Sequence, residues 1–228
     1  MLLIHGAGGN HLIWPALLRR IPHATAYLPD LPGHGRSGRE GRSAIEGYAD
    51  VMREFLTALS VPQAAFVGHS MGGAIALWLA VHHPGICQRL VLLNTAARFT
   101  VPAPILAALR EDPRGAVDLI CQQVLAPHAL PALADLTRQT LLDLPPKVLQ
   151  DDFLACQAFD LVDRLPDIRV PTLAIGGDAD LMTPPDNSRL LAELIPAARL
   201  IMLKDAGHAA PATHPQTVRD AMVSFLSS

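Results

Sequence analysis

Gly68-His69-Ser70-Met71-Gly72 fits the pattern G-x-S-x-G, and its flanks fit as well as its letters. The apolar run Ala64-Ala65-Phe66-Val67 before it reads as a buried strand. The run from Gly73 to Val81 after it is compatible with an unbroken helix. A sharp turn from strand to helix is the setting in which this pattern raises a serine hydroxyl above a sheet, as a nucleophile. Gly68 and Gly72 omit side chains where strand and helix nearly touch. The competing reading is a glycine-rich turn with an idle serine.

Outward from this stretch, short β-like runs alternate with helical ones. Leu2–Ile4 reads as a strand ending at His5-Gly6-Ala7-Gly8-Gly9, followed by a helix over Trp14–Arg20. Ala24–Leu28 reads as a second strand, closed by Asp30-Leu31-Pro32-Gly33-His34-Gly35. Glu46–Leu59 has helical spacing, with Val51, Phe55, Leu56 and Leu59 on one face. Leu90–Leu93, Thr172–Ile175 and Arg199–Leu203 are further strands, and Asn187–Ile195 and Gln216–Leu226 are helices. Fully apolar strands alternating with helices predict a mostly parallel α/β sheet of about six strands, covered on both faces.

Residues 98–166 break the alternation. They hold no strand candidate, are helical in pattern and are rich in proline, with segments Pro104–Arg110, Gly115–Leu125, Leu130–Leu142 and Pro146–Phe159. One crossover needs one helix. Four segments therefore predict a helical cap at 98–166, inserted in a core of 1–97 and 167–228, over the sheet edge where ligands bind in open α/β folds. The alternative is a run of ordinary crossover helices. Phe99, Leu106, Leu119, Leu125, Phe153 and Phe159 are apolar enough to line a pocket, and core packing explains them equally well.

The chain has 228 residues, half of them hydrophobic, and a net charge of −3. That suits one domain or one domain with an insertion, and does not suit a nucleic acid or an anionic membrane as partner. Cys87, Cys121 and Cys156 are scattered and odd in number, which fits a reducing cytoplasm rather than a disulfide framework. No spacing suggests a metal site, and no cofactor is expected. No charged leader precedes an apolar segment at the start, so no signal peptide is expected. The longest apolar stretch, near 64–81, is too interrupted by polar residues and glycine to span a membrane.

A serine hydroxyl is a weak nucleophile and needs a base. On this strand pattern the expected chain order is Ser, Asp or Glu, then His. His208, in Asp205-Ala206-Gly207-His208 just past a strand, can swing its imidazole over Ser70. His214, beside the last helix, reads as a solvated or capping residue. The acid should follow Thr172–Ile175, where Asp178 and Asp180 compete, the loser serving as a turn former. Two backbone N–H donors should receive an oxyanion. They are expected at Met71, directly after the serine, and at Ala7 in the first glycine-rich loop. That loop fits neither phosphate-binding glycine pattern.

Taken together, these residues resemble the α/β-hydrolase superfamily over essentially the whole chain. His5-Gly6 resembles its oxyanion loop, Asp30 to Ser37 its D-x-x-G-x-G-x-S turn, and Gly68 to Gly72 its elbow. Asp180-Leu181-Met182-Thr183-Pro184 is similar to its D-x-x-x-P segment, which favours Asp180 over Asp178. Gly207-His208 resembles the segment carrying its base. Small bacterial carboxylesterases with a short helical cap are the nearest in character. The resemblance implies Ser70, Asp180 and His208 as catalytic residues and a small-molecule ester as substrate. It also admits C–C bond hydrolases, lactonases, cofactorless haloperoxidase-like enzymes, a lyase of menaquinone synthesis, or a non-catalytic binding protein on the same fold. The C–C hydrolases and the lyase handle carboxylated substrates, for which Arg98, Arg110 and Arg138 are the candidate partners. One departure is that family members usually have two strands before the oxyanion-loop strand, whereas Met1 is almost at that strand here, as expected of either a naturally minimal member or a truncated start. Ala24–Leu28 would then lie at a sheet edge and invite a second copy, so a homodimer is the corresponding expectation.

Overall fold

The computed structural model describes residues 1–38, 40–125, 131–196 and 198–227. Five strands form one parallel sheet in the order of the sequence: β1 (Leu2–Ile4), β2 (Ala64–His69), β3 (Cys87–Leu93), β4 (Thr172–Gly177) and β5 (Ala198–Leu203). Alternate strand residues face opposite sides. Leu2, Ile4, Phe66, Leu90, Leu92 and Ala174 join one buried cluster. Leu3, Val67, Val91, Leu93, Leu173 and Ile175 join the other. Both faces are covered, which is why the strands read as continuous apolar runs.

Helices α1 (Ala16–Arg19) and α10 (Pro215–Leu226) cover the second face, supplying Leu18, Val218, Met222 and Phe225. Helices α2 (Ile45–Ala58), α3 (Met71–His82) and α8 (Pro185–Leu194) cover the first. Helix α3 is buried on nearly every side because it lies between the sheet and α2. A short helix, α9 (Ala210–Thr213), precedes α10.

Four helices separate β3 from β4: α4 (Ala103–Glu111), α5 (Pro113–Val124), α6 (Pro131–Asp143) and α7 (Pro146–Ala158). Leu130, the expected start of the third, lies outside the described residues. The four helices have a buried cluster of their own, including Ile105, Leu109, Ile120, Leu141, Leu149 and Phe153, with Ala7 and Met182 of the sheet's loops packed against it. None of the helices among the described residues is long and apolar enough to cross a membrane.

Two local expectations need correction. Ala24–Leu28 is not a sixth strand. It meets β1 at a single parallel bridge, Leu2 to Tyr27, with Leu3 N–H donating to Tyr27 O and Tyr27 N–H to Met1 O, each at 2.9 Å. Pro22 and Pro29 flank the segment, and His23 has a left-handed φ of 60°. A ladder cannot run through residues that lack an N–H or turn the wrong way. Likewise, the helix expected over Trp14–Arg20 is shortened to α1, which starts after Pro15, and a separate 3-10 turn, His11–Ile13, precedes it. Trp14 falls between them and is fully buried.

The contact between α3 and the sheet is close enough to exclude side chains. A Cβ on Gly72 would overlap the Ile4 carbonyl oxygen, and one on Gly68 would overlap Gly72. Gly85, at the far end of α3, has open space around it. Gly72→Ala is expected to cost about 3 kcal/mol or more of stability, measured by urea unfolding. Gly85→Ala should stay within about 0.5 kcal/mol, as surface changes do. Equal effects would show that the close approach does not govern this packing.

Candidate active site

Ser70 is the first residue beyond β2 and precedes α3, at φ 53° and ψ −122°. Non-glycine residues avoid this region, and holding one there takes about 1–3 kcal/mol. The bonds that hold it are specific. Ser70 N–H donates to Leu93 O at 3.0 Å, Thr95 Oγ1 donates to Ser70 O at 2.6 Å, and Gly73 N–H donates to the same carbonyl at 2.8 Å. The hydroxyl is thereby presented at the C-terminal edge of the sheet, where loops from the other strands also arrive.

His208 lies on the loop after β5, with Nε2 2.9 Å from Ser70 Oγ. Its Nδ1 is 2.9 Å from Asp180 Oδ2 and 3.1 Å from Asp180 Oδ1. Asp180 follows β4 and is 2% exposed, whereas Asp178 is exposed. Of the two aspartates, only Asp180 meets His208. Asp180 is also the turn former. Its Oδ1 accepts Met182 N–H and Thr183 N–H, both at 2.9 Å, and its Oδ2 accepts Thr183 Oγ1–H and Asn94 Nδ2–H, both at 2.8 Å. Burial alone would raise the pKa of Asp180, but His208 and these donors lower it to about 2. His214 begins α10 and pairs with Thr213 Oγ1 at 2.9 Å, away from Ser70.

The N–H groups of Ala7 and Met71 donate to no acceptor among the described residues. For Met71 this follows from its place in the first turn of a helix, whose N–H groups have no partner within the helix. Met71 directly follows Ser70, and Gly6, next to Ala7, has its α-carbon against Ser70 Cβ.

Above Ser70 is a cavity of about 310 Å³. Its floor is Gly6, Ala7, His69, Ser70 and His208, and its walls are chiefly aliphatic, including Ile13, Ile120, Val124, Leu133, Leu141 and Met182. No lysine, arginine, aspartate or glutamate lines it among the described residues. Of the six insertion side chains considered from sequence, Phe153 lines it. Phe159 is in the main core with Phe99 packed against it, and Leu106 and Leu119 pack on the insertion's own cluster. Arg98 pairs with Asp160 at 2.7 Å and Arg138 with Asp118 at 2.9 Å, while Arg110 is exposed, so none of the three faces the cavity. No group of three or more potential ligand side chains is placed to hold a metal among the described residues.

Several residues that complete the site carry a weak signal in sequence. Asn94 and Thr95 follow an apolar strand at the sheet's C-terminal edge, the position where polar residues serve ligands in such folds. Asn94 is itself left-handed, at φ 44°. His69 donates from Nε2 to His208 O at 2.9 Å and so tethers the histidine loop. His5 accepts Leu31 N–H on Nε2 at 3.0 Å and donates from Nδ1 to Gly6 O at 2.9 Å. Burial lowers the pKa of His5 to about 3, and burial with the neighbouring His208 lowers that of His69 to about 4, so both rings are neutral.

A model described as the Alpha/beta hydrolase family matches residues 1–221. The chain belongs to the alpha/beta hydrolase family, and its class is that of a hydrolase. It is 27% identical over 242 residues to pimeloyl-[acyl-carrier protein] methyl ester esterase of Vibrio vulnificus, a match spanning 99% of this chain and 93% of that protein. It superposes on a hydrolase from Pseudomonas aeruginosa with a TM-score of 0.90 at 32% identity, covering 100% of this chain and 89% of that one. The enol-lactonase of Burkholderia xenovorans gives a TM-score of 0.92 at 26% identity, with coverage of 100% and 90%.

Neutral buried histidines make stability sensitive to acid. With folded-state pKa values of about 3 and 4 against an unfolded value near 6.5, the unfolded chain binds more protons in between. The contribution of these two rings is full above about pH 6.5 and falls as pH drops, by at most about 1.4 kcal/mol per pH unit for each ring. Asp180, held low, adds its loss only below about pH 4. The urea midpoint is expected to fall between pH 6 and 4, and His69→Gln should reduce that slope by about half. An unchanged slope would show that His69 is not held neutral by the fold.

Proposed function

We propose that the protein is a serine carboxylesterase acting on small, uncharged carboxylic esters. Ser70 is the nucleophile, His208 the general base and acid, and Asp180 the carboxylate that holds His208 in the tautomer with its proton on Nδ1. The N–H groups of Ala7 and Met71 receive the oxyanion. The observation that carries this reading is the continuous chain from Ser70 Oγ through His208 to Asp180, at 2.9 Å in each step, at the floor of an apolar cavity.

In the proposed reaction His208 Nε2 takes the Ser70 proton as Oγ bonds to the ester carbonyl carbon. The negative charge on the carbonyl oxygen is met by the two free N–H groups. Collapse of the tetrahedral adduct expels the alcohol, which leaves with the proton from His208. Water then attacks the acyl-serine by the same steps in reverse order of proton transfer, and the acid is released. Asp180 stays ionised throughout, as its lowered pKa requires.

The insertion at 98–166 acts as a cap whose aliphatic walls select the substrate. Carboxylated substrates are disfavoured, because no cation among the described lining residues would balance them and the three candidate arginines are engaged or turned away. A lactone is a neutral ester and needs no different machinery; the structural likeness to an enol-lactonase supports it as a second substrate type. The named activity of the methyl ester esterase relative supports ester cleavage in general.

Each methylene buried in such a cavity contributes about 0.8 kcal/mol, roughly a fourfold gain in kcat/KM. Over p-nitrophenyl esters of graded acyl length, kcat/KM is expected to climb by about that factor per methylene and then level as the chain reaches the exposed Leu12 and Leu136. Ser70→Ala should lower kcat by about 10⁴-fold or more and abolish labelling by a fluorophosphonate. Full esterase activity in Ser70→Ala would end this proposal.

A further inference from the structure

The loop carrying Ala7 is held from the insertion as well as from the core. Two peptide units meet at the Ala7 α-carbon, and each is rigid and planar. In the first, the Gly6 carbonyl accepts from His5 Nδ1 at 2.9 Å and from Gly9 N–H at 3.1 Å, leaving the Ala7 N–H at the opposite end. In the second, Gly8 N–H donates to Asp152 Oδ2 at 2.8 Å. Asp152 lies on α7, in the insertion, and its side chain is fully buried. Gly8 has a φ of 67°, and a Cβ there would overlap Leu141 of α6.

Asp152 is shared with two other parts of the core. Its Oδ2 also accepts His34 Nε2–H at 2.8 Å, and its Oδ1 accepts the Tyr48 hydroxyl of α2 at 2.5 Å. His34 Nδ1 donates to Pro32 O at 2.9 Å. A carbonyl and a carboxylate are both acceptors, so the His34 ring carries protons on both nitrogens. Burial would lower its pKa, but the charge and hydrogen bond of Asp152 outweigh burial and raise it. A buried ion pair is a weak source of net stability, because desolvation offsets the attraction. The arrangement thus calls for a role beyond stability, and the third donor, Gly8, indicates one.

We propose that Asp152 is a positioning residue for the reaction: by fixing the Ala7–Gly8 peptide it keeps the free N–H of Ala7 turned toward the carbonyl that Ser70 attacks. This rests on the reading of Ala7 as an oxyanion donor. The insertion is then part of the catalytic geometry as well as the wall of the pocket.

The test compares Asp152→Ala, Asp152→Asn and Tyr48→Phe on one p-nitrophenyl ester. Rates are expressed per fluorophosphonate-titrated site, so that unfolded molecules do not count. Asparagine can still accept from Gly8 and His34 while its amide donates to the Tyr48 oxygen. Asp152→Ala is expected to lower kcat by about 10- to 100-fold with little change in KM, the signature of an interaction made in the transition state. Asp152→Asn should recover kcat to within about threefold, and Tyr48→Phe, which leaves the Gly8 bond intact, should keep it. If Asp152→Ala fails to fold, the pair is replaced by apolar side chains, Asp152→Leu with His34→Phe, with the same expected loss of kcat. Wild-type kcat per titrated site in the alanine or paired variant overturns the proposal, as does an asparagine variant as impaired as alanine. Failure of native protein to label would instead count against the esterase reading.

Discussion

The structure turns on one strained residue. Ser70 occupies a backbone region that L residues avoid, and it stays there because the chain on both sides is already committed. Upstream, β2 is central in a parallel sheet, paired to β1 and β3. Downstream, α3 is pressed so closely on β1 that Gly72 admits no side chain. Leu93 and Thr95 at the end of β3 then lock the turn. The same turn that exposes the Ser70 hydroxyl leaves the Met71 N–H without a partner at the positive end of a buried helix. The exposed hydroxyl and the unpartnered N–H thus come from one backbone constraint.

Everything else in the site reaches this point from the C-terminal ends of the strands. The loop after β1 brings Ala7, β3 is followed by Asn94, β4 by Asp180, and β5 by His208. A parallel sheet makes this possible because all its strands end on one side. The charges are arranged to suit. Asp180 is buried yet surrounded by five donor groups, which keep it ionised. His5 and His69 are held neutral, so the hydrogen bonds they make to Gly6 and His208 orient the loops without adding charge near the serine.

Much of this was legible in the chain because it depends on local spacing. The Ser70 turn, the Gly-His and Asp-x-x-x-Pro segments, and the apolar runs that became β2, β3, β4 and β5 are each contained in a few consecutive residues. Where local reading erred, proline was the cause. Pro15 displaced the start of a helix, and Pro22 and Pro29 reduced an expected strand to one bridge. The choice between Asp178 and Asp180 could not be made from spacing alone, since both follow the same strand. The resemblance of the Asp180–Pro184 segment favoured Asp180, and in the structure Asp180 is the buried one, 2.9 Å from His208. Asp152 left no readable sign. It stands beside Asp151 on a helix of mixed polarity where an acidic residue reads as solvated, and its partners His34, Tyr48 and Gly8 are more than 100 residues away.

The amino-acid sequence by itself determined the parallel α/β architecture, the five apolar runs that pair in the sheet and the chain order of the residues gathered at its edge, because those follow from periodicity and from short motifs whose backbone demands are local. Only the tertiary structure decided that Ala24–Leu28 meets the sheet at a single bridge, which side chains wall the cavity, and that the insertion reaches back to the loop beside the serine. These are contacts between segments distant in sequence. They are set by how the layers pack and by where buried polar groups find partners, and no run of consecutive residues encodes that.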